Sequence, residues 1–264
     1  MMNNVKIAVA TSGLSESLRD AITLVSEAGA EGVQLDVRTE VPPPDFGETA
    51  CRQLLHNFNE RGLKIASTTF PLRRPLYDAD QLDGRVAAVK EAMRLSARLK
   101  CRMLTLRIGR IPDESQVEAV DCLKSALNDL ARVGSREGIT LAISTMGDSA
   151  ETLRTTIESV SEGAIQVDFD PVGCISSQLD PVATLKSLHD LVGHVQGRDA
   201  VRDLESGGHE VVLGRGETPW DEVVAILDDA KYGGWVTVRR TTGNDRRSDV
   251  TNAVEYLRRI AAGG

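Results

Sequence analysis

Short apolar runs alternate with longer stretches of helical spacing along the chain. The runs are Val5–Ala10, Gly32–Val37, Leu63–Thr69, Arg102–Ile108, Ile139–Ser144, Ile165–Phe169, Val192–Gln196 and Val236–Arg239. They are too short for helices, and most lack strict polar alternation, so they predict strands covered on both faces. Between them, Val117, Val120, Leu123, Leu127 and Leu130 recur at steps of three and four and predict one apolar helical stripe. Val86, Val89, Met93 and Leu95 begin a second stripe that runs toward Leu99.

Punctuation residues fit the same reading. Asp180-Pro181 predicts an N-cap followed by a first-turn proline, and Thr218-Pro-Trp-Asp221 predicts another, with an acidic residue three positions after the cap. Gly29, Gly62, Gly138 and the Gly233-Gly234 pair predict helix stops. Pro42-Pro-Pro44 predicts a stiff loop after the second strand. Repeated strand–helix units favour a parallel sheet with right-handed crossovers. Eight of them in 264 residues match an α/β fold with one closed (β/α)8 barrel, read as a single domain over residues 1–264. The first βα segment reads Ala10-Thr-Ser-Gly-Leu14 and lacks the Gly-x-Gly-x-x-Gly of a dinucleotide-binding unit. Aromatics make up only 3% of the chain, so Val, Ile, Leu and Ala are expected to build most of the core.

Charge and cysteine content narrow the function. A net charge of −8 and a pI near 5.2 argue against nonspecific nucleic-acid binding, which needs an excess of Lys and Arg. No apolar run approaches the ~18 residues of a membrane span. The segment Met1–Ile7 lacks the charged-then-apolar pattern of a secretion signal. Cys51, Cys101, Cys122 and Cys174 are scattered, with no Cys-x-x-Cys pair, so reduced thiols in a cytoplasmic protein are expected. Homo-oligomerisation is allowed by the sequence but not specified by it.

In such a barrel the C-terminal strand ends surround the mouth, where the chemistry resides. The last four runs close on Ser144, Asp170, Gln196 and Arg239, one carboxylate and one permanent cation among them. Five motif stretches carry a family resemblance: Val167-Asp-Phe-Asp-Pro171, Asp180-Pro181 and His194-Val-Gln-Gly-Arg-Asp199, then Val212-Leu-Gly-Arg-Gly-Glu-Thr-Pro-Trp220 and Tyr232-Gly-Gly-Trp-Val-Thr-Val238. The chain resembles the xylose isomerase-like barrels, which include sugar phosphate isomerases and epimerases and the family 2 apurinic endonucleases. The resemblance implies a divalent metal held by Glu, Asp, His and Glu from strands five to eight, the two glutamates also serving as acid and base. Here Ser144 stands in the first position, Asp170 keeps the second, Gln196 replaces the His, and Arg239 replaces the last Glu.

Those replacements argue against a metal. Asp170 and Gln196 could offer two donors and Ser144 a weak third, but a guanidinium is never a ligand. At an effective dielectric of roughly 20 it would repel a dication ~4 Å away by about 8 kcal/mol. No metal or other cofactor is therefore expected. Arg239 has two readings: a structural salt bridge to Asp170, or a fork that binds carboxylate or phosphate. Arg73, Arg107, Arg198 and Arg215, with Arg74 and Arg110, fall on the same barrel face and favour an anionic ligand. Pairing of individual arginines with Asp199, Glu205 or Glu217 is the alternative.

The expected partner is a small anionic carbohydrate or sugar phosphate, bound at the mouth with Asp170 as the one candidate catalytic group. Three functional readings stay open: a barrel that works without metal or is inactive, an isomerase or epimerase with a weak metal site around Asp170, and a non-catalytic binding or regulatory protein. Among other residues, His194 is expected in the core, and Asp168 as a deeper partner of Gln196 or an arginine. His56, His189 and His209 are expected near the surface, and Trp220 and Trp235 as packing anchors. Asp36 either faces the mouth or caps the next turn.

Overall fold

The structure is a computed structural model that describes residues 5–144, 147–203 and 207–263. Its strands are β1 (Lys6–Ala10), β2 (Gly32–Asp36), β3 (Lys64–Thr69), β4 (Met103–Arg107), β5 (Thr140–Ser144), β6 (Ile165–Phe169), β7 (Val192–Gly197), a short pair β8 (Asp199–Val201) and β9 (His209–Val211), and β10 (Trp235–Val238). Eight of these close a parallel barrel in the order β1-β10-β7-β6-β5-β4-β3-β2, while β8 and β9 pair antiparallel beside it. All eight expected strands are therefore present, each within a residue or two of its predicted span.

The helices α1 (Leu18–Glu27), α2 (Glu48–Glu60), α3 (Leu82–Arg98), α4 (Val117–Glu137), α5 (Ala150–Glu158), α6 (Pro171–Ser176), α7 (Pro181–Leu188), α8 (Trp220–Asp229) and α9 (Arg246–Ala261) lie between and after the strands. On α4 the stripe is buried at Leu123, Leu127 and Leu130, each worth about 1.5–3 kcal/mol of burial. Its first member, Val117, is 61% exposed at the helix start. Gly134 lets α4 approach closely: a Cβ there would lie 2.4 Å from the Ile139 carbonyl oxygen. No helix among the described residues is long and apolar enough to cross a membrane.

The expected caps hold at Asp180, which accepts from the Val182 and Ala183 amides, and at Gly29, Gly62 and Gly138, all with positive φ. Two differ. The cap of α8 is Pro219, not Thr218, because Asp199 draws the loop inward by accepting from the amides of Gly214, Gly216 and Thr218. The left-handed residue after α8 is Lys231, not Gly233 or Gly234, since the turn closes earlier through the Tyr232 amide and the Leu227 carbonyl.

The aliphatic core lies between strands and helices, as composition requires. The barrel interior is polar. Gln34 donates to Ser67 at 2.9 Å, Ser67 meets His194 Nε2 at 3.1 Å, and Thr237 meets the same nitrogen at 2.8 Å. Ser67 on β3 and His194 on β7 face each other across the barrel, so this network spans its width. Asp168 pairs with His194 Nδ1 at 2.7 Å and accepts both contacts from Gln196 Nε2.

Candidate functional site

Strand parity builds the mouth from this interior. Side chains two residues apart share a strand face. Thr105, Ala142, Asp168, His194 and Thr237 belong to the interior layer, so Arg107, Ser144, Asp170, Gln196 and Arg239 belong to the layer above it. Asp36 has the same parity above Gln34, but its Oδ1 accepts from the Arg38 and Thr39 amides, so it caps its turn.

Asp170 sits where β6 passes into α6 and is that helix's N-cap, with Oδ1 accepting from the Val172 amide at 3.1 Å. Its Oδ2 accepts from Arg198 Nη1 at 2.8 Å and from Arg107 Nη2 at 3.1 Å. The Asp170 and Arg198 side chains are 7% and 10% exposed, whereas Arg107 is 47% exposed at the rim. Burial opposes the charge of Arg198, but Asp170 and Glu210 outweigh it and raise its pKa.

Arg239 does not bridge to Asp170: among the described residues no carboxylate lies within ion-pair distance of its guanidinium. Burial pushes its pKa below the ordinary arginine value, and Arg198 and Arg107 push the same way against Asp170 and Asp168. Two guanidinium groups thus converge on Asp170, and a third, Arg239, feels its charge but has no counter-ion of its own among the described residues.

Gln196 spends its amide hydrogens on Asp168, which leaves Oε1 buried without a partner. Ser144 lines a void of about 40 Å³ beside Asp168, Asp170 and Cys174, room for about one water. Burial, with Asp170 nearby, pushes the Cys174 thiol up to about 12, so it stays protonated and is no nucleophile at neutral pH. The Asp168–His194–Ser67 chain has the connectivity of a nucleophilic triad. All three side chains are buried inside the barrel, out of reach of a substrate.

Two of the expected ligand arginines do not join this group. Arg73 lines a cavity beyond β3 with Arg38, Arg74 and Arg85. The loop from Phe70 to Leu76 is fastened to β4 and the residue after its end, by the Phe70 amide on the Thr105 carbonyl and the Leu76 amide on the Ile108 carbonyl, and Arg73 lines that cavity instead of meeting Asp170. Arg215 lines a cavity against α9 with Asp249, Asn252 and Glu255, because the β9–α8 loop wraps around the Asp199 carboxylate. Of the expected acidic partners, Asp199 binds backbone amides, Glu217 pairs with Arg202, and Glu205 lies outside the described residues, as do Met1 to Asn4.

The group that sequence reasoning missed is Glu210 on β9. It pairs with Arg198 at 3.5 Å, lies 3.9 Å from Arg240, and accepts from the amide and hydroxyl of Thr241. A three-residue strand leaves no readable period; the one available signal was an acid within an otherwise β-prone His209-Glu-Val-Val212 run.

Among the described residues no three His, Cys, Asp or Glu side chains gather in a way that could hold a metal. No curated protein matches the chain. Solved structures that share its fold include a xylose isomerase domain protein from Planctomyces limnophilus, with 19% identity, TM-score 0.87, and coverage of 100% of this chain and 99% of that one. A D-tagatose 3-epimerase-like protein has 17% identity, TM-score 0.80, and coverage of 98% and 97%. An L-ribulose 3-epimerase has 14% identity, TM-score 0.79, and coverage of 98% and 95%. The sequence pattern of one family matches residues 22–260, nearly the whole barrel, and on that match the chain belongs to the xylose isomerase-like TIM barrel family.

Proposed function

We propose that the barrel mouth binds a small anionic carbohydrate through Arg239, with Arg107 and Arg198 alongside, and that it does so without a divalent metal. The observation that carries this reading is the mostly buried Arg239 guanidinium with no carboxylate partner among the described residues. Burying an uncompensated charge is costly, and an incoming carboxylate or phosphate removes that cost while matching the fork. Fold neighbours that include a D-tagatose 3-epimerase-like protein and an L-ribulose 3-epimerase make a carbohydrate the natural body for the anion. Gln196 Oε1 and the Ser144 hydroxyl then stand beside the anion as polar contacts for sugar hydroxyls.

The donor set does not suit a dication. Asp170 has its oxygens engaged by two guanidinium groups and an amide, and Arg239 would repel a metal at the same place. Isomerase or epimerase chemistry also needs a base with a free lone pair near the substrate. Asp170 is the one carboxylate of the mouth layer on β5, β6, β7 and β10, and its engaged oxygens favour ligand recognition over turnover.

Thermal-shift and calorimetric titrations with sugar acids and sugar phosphates, with and without chelator, test this reading. Stabilisation that survives chelation and is lost in Arg239→Ala is the expected result. Stoichiometric zinc, manganese or magnesium on the purified protein, lost in Asp170→Ala, would overturn it, as would silence from every anion tried.

A further inference from the structure

The second cationic cavity points to a separate site. It has a volume of about 380 Å³, within the range of small-molecule sites. Arg38, Arg73, Arg74 and Arg85 line it, and Phe70 and Leu72 give it an apolar wall.

What distinguishes these arginines is how they are held. Arg38 donates to the Pro71 carbonyl at 2.6 Å and lies over the Phe70 ring at 5.4 Å. Arg85 donates to the carbonyls of Asp78 and Asp80 at 2.7 and 2.6 Å. These bonds to neutral oxygens fix the position of a guanidinium without cancelling its charge. Arg74 is neutralised, by Asp80 at 2.8 Å and Asp78 at 3.3 Å, and this also occupies Asp80, the one carboxylate lining the cavity. The Arg73 side chain has neither an ion pair nor a hydrogen bond among the described residues. Arg38 and Arg73 are thus left without a carboxylate in ion-pair contact among the described residues, and Arg85 shares the field of Asp78 with Arg74 without a direct ion pair.

The walls are braced. The turn carrying Arg38 is capped by Asp36, whose own amide donates to Glu40 at 2.8 Å, and Glu40 also accepts from Thr11. Both acids are spent on the turn rather than on the Arg38 guanidinium. The loop carrying Arg73 is fastened to the end of β4 by the Leu76 amide and the Ile108 carbonyl at 2.9 Å. Two guanidinium forks held in place, Arg38 and Arg85, with the unbonded Arg73 side chain beside them, suit a dianion with three acceptor oxygens.

We infer that this cavity binds the phosphate of a small phosphate monoester, at a site separate from Arg239. The apolar wall receives the ester's carbon skeleton. This cavity shares no lining residue with the group around Arg239 and Asp170.

Titration of the protein with inorganic phosphate, then with glucose 6-phosphate, followed by calorimetry at constant ionic strength, tests it. Arg38→Gln and Arg73→Gln are each expected to weaken phosphate binding by about tenfold, the worth of one charge-assisted hydrogen bond. Arg239→Ala is expected to remove the anion binding of the mouth, for sugar acids and phosphate alike, and to leave one phosphate site whose affinity is unchanged and still falls in Arg73→Gln. Arg73 is exposed and makes no side-chain bond, so its variant keeps the fold even if Arg38→Gln does not. Absence of phosphate binding, displacement of phosphate by chloride at equal ionic strength, or loss of all phosphate binding in Arg239→Ala each overturns the inference. Failure of the mouth reading alone would show as phosphate binding intact and sugar acids silent.

Discussion

Arg198, one residue past β7, donates to Asp170, one residue past β6, at 2.8 Å, and this contact ties two neighbouring strand ends together at the mouth. With both side chains nearly buried, the pair is costly to break from one side, because the remaining charge is left desolvated. Asp170→Asn leaves Arg198 with Glu210 alone and brings three guanidinium groups together without their shared carboxylate. A loss of about 3 kcal/mol in urea denaturation is expected. Added sugar acid should recover part of it by supplying the missing negative charge. An unchanged midpoint would mean that the arginines spread into solvent and that the cluster is not an electrostatic unit.

Arg239 predicts the opposite sign. Its burial and its cationic neighbours already disfavour the charged form. Arg239→Met keeps most of the stem packing and removes the charge. The free protein should gain about 1 kcal/mol, as when a buried charge gives way to an apolar side chain. The same variant should lose all stabilisation by anions. A variant that is both less stable and still anion-responsive would contradict the assignment of Arg239 as the ligand's counter-ion.

The barrel and the ring at its mouth were legible because both follow from period. Eight apolar runs gave the strands, and the residues that close the last four, Ser144, Asp170, Gln196 and Arg239, marked the mouth. What was not legible depends on loop paths. Arg73 and Arg215 follow strand ends in sequence, but loop paths fixed by the Leu76 amide and by Asp199 set which cavity each one lines. Glu210 lay in a strand too short to have a pattern, and α6 has only six residues. The polar interior was visible only in part: the Asp168–Gln196 contact follows from parity, whereas the reach of His194 to Ser67 requires knowing that β3 and β7 face each other across a closed barrel.

That reach makes Ser67 a test of structural against catalytic use. Ser67 and His194 are 0% and 1% exposed, so a triad-like chain without access predicts no acyl chemistry. A fluorophosphonate probe should leave Ser67 unlabelled. Ser67→Ala should cost about 2 kcal/mol from two lost buried hydrogen bonds, to Gln34 and His194, and should leave anion binding as it was. Covalent labelling at Ser67 would mean that the barrel opens far more than its packing allows.

Glu40 supplies a pH dependence with a definite sign. Burial raises its pKa above the ordinary carboxylate value of 4.5, against the opposing bonds from the Asp36 amide and Thr11. The folded state therefore holds this proton more tightly than the unfolded chain does. The stability this contributes is fully present below the unfolded pKa and is lost as pH rises through the folded one. Glu40→Gln keeps an acceptor for Asp36 and Thr11 but cannot ionise. Thermal unfolding from pH 4 to pH 8 should therefore show the wild type losing ground to Glu40→Gln as pH rises, with a gap that levels off once Glu40 is ionised. A gap that widens toward acid pH would mean that the carboxylate is stabilised in place. Glu40 would then be an anionic strut for the Arg38 turn rather than a group ionised at a cost.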